Sequence, residues 1–179
     1  MKDFSKASSA GPISGKAGIY PDDSLLWAHL REVPAFRALL RSVEARFYRG
    51  LPLPGPVLDL GCGDGHFASF TLSGLAPVGL DLSAWALRDA VRRRVYRSVV
   101  RADAARLPFR PGVFGTVVSN SVLEHIPGVE AVLAEISRVL KPGGRLVFTV
   151  PSEHFAEYLS VSRILERLGF RRLAAAYRC

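Results

Sequence analysis

Sulfur and lysine are scarce in this chain. Two cysteines, Cys62 and Cys179, and one methionine stand among 179 residues, and Lys2, Lys6, Lys16 and Lys141 are the only lysines among 24 basic residues. Two cysteines without paired spacing argue against a disulfide framework and against a structural zinc site. No apolar run is long enough to span a bilayer, and the polar start through Lys16 has no signal-peptide hydrophobic stretch. The cytosol is the compartment these absences suggest. Internal repeats and low-complexity segments are missing too, and the length suits one domain with a sizeable core.

Negative charge is also in short supply. The formal net charge is +8, and between residues 88 and 110 Arg88, Arg92, Arg93, Arg94, Arg97, Arg101, Arg106 and Arg110 are offset only by Asp89 and Asp103. Such a cluster would attract RNA or an anionic lipid surface. The plainer reading is a solvated helix face in a chain that prefers arginine throughout. On that reading Ala84, Leu87, Val91 and Val95 form the buried stripe, and Arg88 and Arg92 face water.

What the chain does have is a glycine-rich turn. Val57-Leu58-Asp59-Leu60 runs into Gly61, Cys62, Gly63, Asp64 and Gly65, and a helical pattern starts at His66. A short apolar strand, a turn of glycines and a helix make a nucleotide site. Glycine turns sharply and lets backbone approach a ligand without a Cβ in the way. A dinucleotide fingerprint would place its third glycine at position 66, where the imidazole of His66 would block close helix–strand approach. A nicotinamide oxidoreductase is therefore disfavoured. Cys62, inside the loop, reads as a small buried spacer. About 20 residues after Gly61, Asp81 ends the apolar run Val78-Gly79-Leu80, where a carboxylate would grip a ribose diol. Its other role, capping the next helix, suits Ser83 better.

A third strand, Ser98-Val99-Val100-Arg101, leads into Ala102-Asp103-Ala104. Leu107-Pro108-Phe109 precedes a fourth, Phe114-Gly115-Thr116-Val117-Val118, which exits through Ser119-Asn120-Ser121-Val122-Leu123-Glu124-His125. A helix with apolar spacing of three and four, Ala131 to Leu140, is stopped by Lys141-Pro142-Gly143-Gly144, and a fifth strand runs from Arg145 to Val150. Four ordered motifs emerge: D-x-G-x-G-x-G from Asp59, the acidic tip at Asp81, D-A-x-x-L-P-F from Asp103 and K-P-G-G-x-L-x-F from Lys141. Together, over roughly residues 56 to 152, they resemble the class I S-adenosylmethionine-dependent methyltransferases of the small-molecule type.

The resemblance implies an α/β fold, a Rossmann-like doubly wound sheet of parallel strands in the order 3-2-1-4-5, with S-adenosyl-L-methionine as cofactor. It implies that Gly61, Cys62, Gly63 and Gly65 form the loop along which the methionine portion lies. Asp59 would act at the amino group, directly or through a water, and Asp81 at the ribose. Asp103 would accept from the adenine amine, with Ala104 beside it in the adenine loop. Leu82 and Leu107 are the expected walls of the adenine site, and Asn120 and Ser121 would line the path to the acceptor. By itself, Asp103 would read as a turn residue. Where the family usually has Phe-Asp this chain has Phe114-Gly115, which implies a locally weaker structure more than weaker cofactor binding.

The expected organisation is a flexible N-terminus over residues 1–19, a helical cap over 20–50 and the core over 51–179. In the cap, Leu26, Leu30, Val33, Phe36, Leu40, Val43 and Phe47 keep a helical period, and Pro34 should divide it into two helices. In the resembling families such helices cover the cofactor cleft. Tyr20 and Trp27 are lid candidates, with plain packing the simpler role. Residues 51–56 form a stiff, proline-rich connector. After strand five a helix over about 153–168 is expected, but not the last two strands that complete this fold. Strand five would then be a bare edge. The core is therefore expected to be C-terminally truncated, unless a partner chain or a strand hidden within 170–179 covers that edge.

The sulfonium of such a cofactor is already a strong methyl donor, so the protein has mainly to align an acceptor and exclude water. Strand four's exit lacks the Asp/Asn-Pro-Pro-Tyr of base amino-methylators, the cysteine of cytosine C5 enzymes and the acidic metal ligands of catechol-type enzymes. No metal is expected, and the acceptor is expected to be a small or lipid-like molecule positioned by Asn120. His125 has an intrinsic pKa suited to a general base, with Glu124 behind it; lining the cleft without moving a proton is the simpler role. The alternative is a non-catalytic module that binds RNA or a partner through the arginine-rich helix. Retention of Asp59, Gly61, Gly63, Gly65, Asp81 and Asp103 together speaks against it, since a module freed from cofactor has no need for all six.

Overall fold

The computed structural model describes residues 24–152. The expected N-terminal tail, Tyr20, the helix expected over 153–168, any strand within 170–179 and Cys179 lie outside the described residues.

Five strands build one sheet: β1 Val57–Leu60, β2 Val78–Asp81, β3 Ser98–Arg101, β4 Phe114–Asn120 and β5 Leu140–Thr149. All pairings are parallel, in the expected order β3-β2-β1-β4-β5. Helices α1 Ser24–Leu30 and α2 Ala35–Tyr48 precede the sheet, and α3 His66–Thr71, α4 Ala84–Arg92 and α5 Val129–Val139 cross between strands. Among the described residues β5 is an edge strand. No helix there is long and apolar enough to cross a membrane.

Alternation along β1 makes the two layers. Leu58 and Leu60 enter a cluster with Leu80, Phe114 and Val117 and with Val132, Ile136 and Val139 of α5. Val57, pointing the other way, joins Leu25, Ala45, Tyr48, Phe67 and Leu72 from the three N-terminal helices. A sheet covered on both faces explains why β1 and β4 are buried throughout.

Pro34 divides α1 from α2 as expected, but the cap's apolar stripe does not face the core. Buried on α2 are Ala38, Ser42, Ala45 and Tyr48, whereas Phe36, Leu39, Val43 and Phe47 are exposed. Small side chains let the helix lie close to the domain, which bulky ones would prevent. Helix α4 is rotated in the same way: Leu87 and Ala90 are buried, and Ala84 and Val91 are exposed. That rotation turns Arg93 inward.

Two further expectations change. The Lys141-Pro142-Gly143-Gly144 turn lies inside β5, where Leu140 already pairs with Phe114 and Arg145 with Thr116 across an irregularity in register. Gly115, in place of the family's Asp, has a packing reason. A Cβ there would lie 2.8 Å from the Gly55 carbonyl oxygen and closer still to that of Pro54. Gly115 and Thr116 both donate backbone N–H groups to the Pro56 carbonyl, at 2.9 and 3.3 Å. The glycine thus seats the connector against β4, and the expected local weakness gives way to a close backbone fit.

Candidate functional site

Strands β1, β2 and β4 deliver their C-terminal ends to one edge of the sheet, where ligands of doubly wound folds bind. The glycine loop is stitched to β2 by Gly61 and Cys62, whose N–H groups donate to the Leu80 carbonyl at 2.7 and 3.0 Å. Gly61 has φ +76°, and a Cβ on it would sit 2.5 Å from the Val122 side chain. Gly63, at φ +54°, has no atom within 4 Å of that position. The loop is thus pressed against β4's exit at its start and open towards a cleft at its middle. Gly65 begins α3 and would drive a Cβ into the Tyr96 ring. Cys62 is buried, and desolvation pushes its thiol pKa far up, so it is the inert spacer expected.

Asp59 is buried beneath the loop and accepts a 2.7 Å hydrogen bond from the Tyr96 hydroxyl. Burial lifts its carboxyl to about 6, opposed by the Tyr96 bond and assisted by nearby Asp81. One neutral donor leaves such a carboxylate undercompensated, and a cation in the cleft would complete it. Asp81 is a clamp: Oδ2 accepts from Gly63 N and Oδ1 from Ser83 N, both at 2.8 Å. Each oxygen keeps a second lone pair for a ligand. Ser83 caps α4, accepting from Ala86 N at 3.3 Å.

Two clefts meet at Gly61 and Val122. The cleft at the tips of β2 and β3, of about 430 Å³, brings Asp81, Leu82, Asp103 and Ala104 together with His125, Ile126 and Pro127. Asp103 makes the local turn its residue type suggests, with Oδ1 accepting from Ala105 N at 2.9 Å; among the described residues Oδ2 accepts no hydrogen bond. Leu82 is exposed and lines this cleft, but Leu107 is buried in the core under α5 and cannot wall it. Ile126 and Pro127 stand at the cleft instead.

The other cleft, of about 400 Å³, is lined by the glycine loop, Asp59, Trp85, Asn120, Ser121, and Arg37 and Arg41 of α2. The cover is therefore α2; Trp27 lines none of these clefts and is 64% exposed. Glu44 of α2 was not visible in the sequence as a site residue. It accepts from Asn120 Nδ2 at 3.0 Å, from Ser121 Oγ at 2.9 Å and from Arg41 at 2.6 Å. Thr149 Oγ1 donates to Asn120 Oδ1 at 2.5 Å, so both ends of that amide are held. Ser121 has φ +52°, a strained conformation that this network maintains. The only sequence signal for Glu44 was Arg41 three positions before it, which predicts no more than a surface pair. His125 lies in a 3-10 turn, Leu123–His125; its side chain is 76% exposed and its Nε2 is 3.9 Å from Glu124.

Behind the loop lies a second polar network unseen in the sequence. His66 Nδ1 is 3.2 Å from Glu32 Oε2, and His66 Nε2 is 2.8 Å from His29 Nδ1. With Glu32 ionised, one proton arrangement fits: His66 donates to Glu32, and His29 donates to His66. His29 Nε2 is then left buried without a partner. Desolvation lowers the pKa of both rings. Arg93 completes the network, donating to Glu32 at 2.8 Å and to the Asp64 carbonyl at 3.0 Å. The arginine-rich stretch is accordingly not one solvated face. Arg93 braces the loop and Arg101 donates to the Leu82 carbonyl, while Arg92 pairs with Asp89 at the surface. Among the described residues no group of three or more His, Cys, Asp or Glu side chains is placed to hold a metal.

Known proteins are similar to this chain in sequence and in fold. The malonyl-[acyl-carrier protein] O-methyltransferase of Legionella pneumophila is 37% identical over 103 residues, covering 54% of this chain and 36% of that protein. The ubiquinone biosynthesis O-methyltransferase of Thiobacillus denitrificans is 35% identical over 138 residues, covering 73% of this chain and 56% of that protein. The chain thus spans from about a third to just over half of the length of these relatives. The crystal structure of a SAM-dependent methyltransferase from Thermotoga maritima, a possible histamine N-methyltransferase, has the same fold. It superposes with a TM-score of 0.60 at 21% identity, over 83% of this chain and 80% of that one. A family model described as a methyltransferase domain matches residues 58–148, from β1 into β5 and just over half of the chain. By that match this chain belongs to the methyltransferase-domain family.

Proposed function

We propose that this chain is a cytosolic S-adenosylmethionine-dependent methyltransferase that moves a methyl group by direct displacement to a small or lipid-like acceptor. The observation that carries the reading is the undercompensated buried carboxylate of Asp59 beneath the open stretch of loop at Gly63. The methionine end of the cofactor presents an ammonium of the right charge for it. The bound cofactor supplies an activated methyl group on its sulfonium; the chain's own residues bind, orient and exclude water.

Gly61, Cys62, Gly63 and Gly65 shape the loop along the methionine portion. Asp81 uses its remaining lone pairs on the ribose hydroxyls, and Asp103 Oδ2 accepts from the adenine amine beside Ala104 and Leu82. Asn120, held by Glu44 and Thr149, positions the acceptor. His125 lines the rim; Glu124, at 3.9 Å from its Nε2, is beyond hydrogen-bond reach of the ring, and we assign His125 no proton transfer.

Calorimetric titration with S-adenosylhomocysteine tests the reading, followed by transfer from a radiolabelled methyl donor. Micromolar binding is the expected result. A folded chain without affinity would overturn it in favour of the non-catalytic module.

A further inference from the structure

Helix α2 keeps its largest apolar side chains out of the core, and that exposure is unfavourable unless something covers it. Leu39, Val43 and Phe47, with Val150 and Pro151 beyond the end of β5, line a groove of about 650 Å³. Phe47 is 67% exposed. The groove is continuous with the site: Ser121, Arg37 and Arg41 border both it and the loop-side cleft, and His125 borders both it and the cleft at the tips of β2 and β3.

The two arginines at that junction differ. Arg41 is satisfied by Glu44 and lies over the Phe67 ring. Arg37 has no carboxylate or hydrogen-bond partner among the described residues, and Glu44 is already occupied by Arg41, Asn120 and Ser121. An uncompensated guanidinium at the mouth of an apolar groove complements an anion carried on an apolar body.

We propose that the acceptor is a single amphipathic molecule whose apolar body lies against Leu39, Val43 and Phe47 and whose carboxylate or phosphate is held by Arg37. This rests on the methyltransferase reading above, and it makes Arg37 the specificity-determining residue: neutral amphiphiles bind less well and cationic ones least.

The test is calorimetry on the full chain saturated with S-adenosylhomocysteine, using decanoate, decanol and decyltrimethylammonium below their aggregation limits. Decanoate should bind about ten- to a hundredfold more tightly than decanol, the range of a charge-assisted hydrogen bond, and the cation should not bind. Arg37→Gln should abolish decanoate's advantage, and Val43→Asp, which borders the groove but not the loop-side cleft, should weaken both ligands without changing affinity for S-adenosylhomocysteine. Equal binding of decanoate and decanol by the native chain overturns the proposal. So does an Arg37→Gln chain whose loss is in S-adenosylhomocysteine affinity, which would give Arg37 to the cofactor. Binding to phosphatidylglycerol vesicles without binding to decanoate overturns it in favour of a membrane surface. If S-adenosylhomocysteine itself fails to bind, the underlying reading falls; if it binds and decanoate shows no preference, only this inference does.

Discussion

The two ends of the cleft are built differently. At the loop end, polar groups are tied to one another around the buried Asp59, His66 and His29: Asp59 to Tyr96, His66 to His29 and Glu32, Arg93 to Asp64. At the end formed by the tips of β2 and β3, Leu82 and Asp103 are exposed, and among the described residues Asp103 is held by its own turn. A buried network fixes geometry before a ligand arrives, and its groups are costly to leave half-satisfied. An open end recognises by a few bonds whose loss leaves the fold untouched. Mutations at the first end should therefore change stability and binding together, and those at the second should change binding alone.

The largest effect is expected at Gly61. Gly61→Ala forces an L residue to positive φ and pushes a methyl group into Val122, a loss of about 2–4 kcal/mol of stability with binding abolished. Gly63→Ala meets no atom and should lose only about 1–2 kcal/mol. Urea denaturation of the pair separates conformational strain from overlap; equal losses would show that the Val122 contact is unimportant.

Asp59→Asn should divide the two properties. Affinity for S-adenosylhomocysteine should fall about ten- to a hundredfold at pH 8 through loss of the charge. Stability should rise, on the order of 1–3 kcal/mol, because a buried ion is removed. The sign follows from a carboxyl raised from 3.8 to about 6 in the folded chain. Folded protein holds the proton more tightly, so the native chain gives up stability as pH rises between those values. Denaturation curves of the Asn variant should lack that slope.

The histidine pair has the opposite sign. Both pKa values are lowered from 6.5, chiefly by burial, with Arg41 opposing a charge on His29 and Arg93 one on His66, and with Glu32, Glu44 and Asp64 favouring charge. The unfolded chain therefore takes the proton first. Stability is complete above about 6.5 and declines as pH falls below it. His29→Leu should shallow this decline when denaturation at about pH 5 is compared with about pH 7.5. An unchanged acid limb would show that the pair does not control it. The smallest effect belongs to the open end: Asp103→Ala should weaken S-adenosylhomocysteine binding about three- to tenfold, one hydrogen bond's worth, with no change in melting temperature.

The fold was legible because its punctuation is local. Apolar runs of four residues bounded by glycine, aspartate and proline gave β1, β2 and β3 almost to the residue, and Pro34 marked the break between α1 and α2. Helix rotation was not legible. The apolar period of α2 was present, yet Ala38 and Ala45 turned inward and Phe47 outward, because close approach needs small side chains where the helix touches its neighbours. Leu107 went to the core cluster under α5 rather than to the cleft beside Leu82. Glu44 and His29 stayed hidden because their partners stand far along the chain, 76 and 77 residues from Glu44 and 37 from His29.

The sequence by itself determined the conformation of the glycine loop and the carboxylates presented around it. Chirality leaves few residues able to take positive φ, and a strand tip can put a side chain in only one place. Only the tertiary structure decided what surrounds them: which face of α2 covers the cleft, that Glu44 pins Asn120 and Ser121, and that Arg37 has no counter-ion among the described residues. Those outcomes depend on shape and charge meeting across elements, and no run of neighbouring residues contains that information.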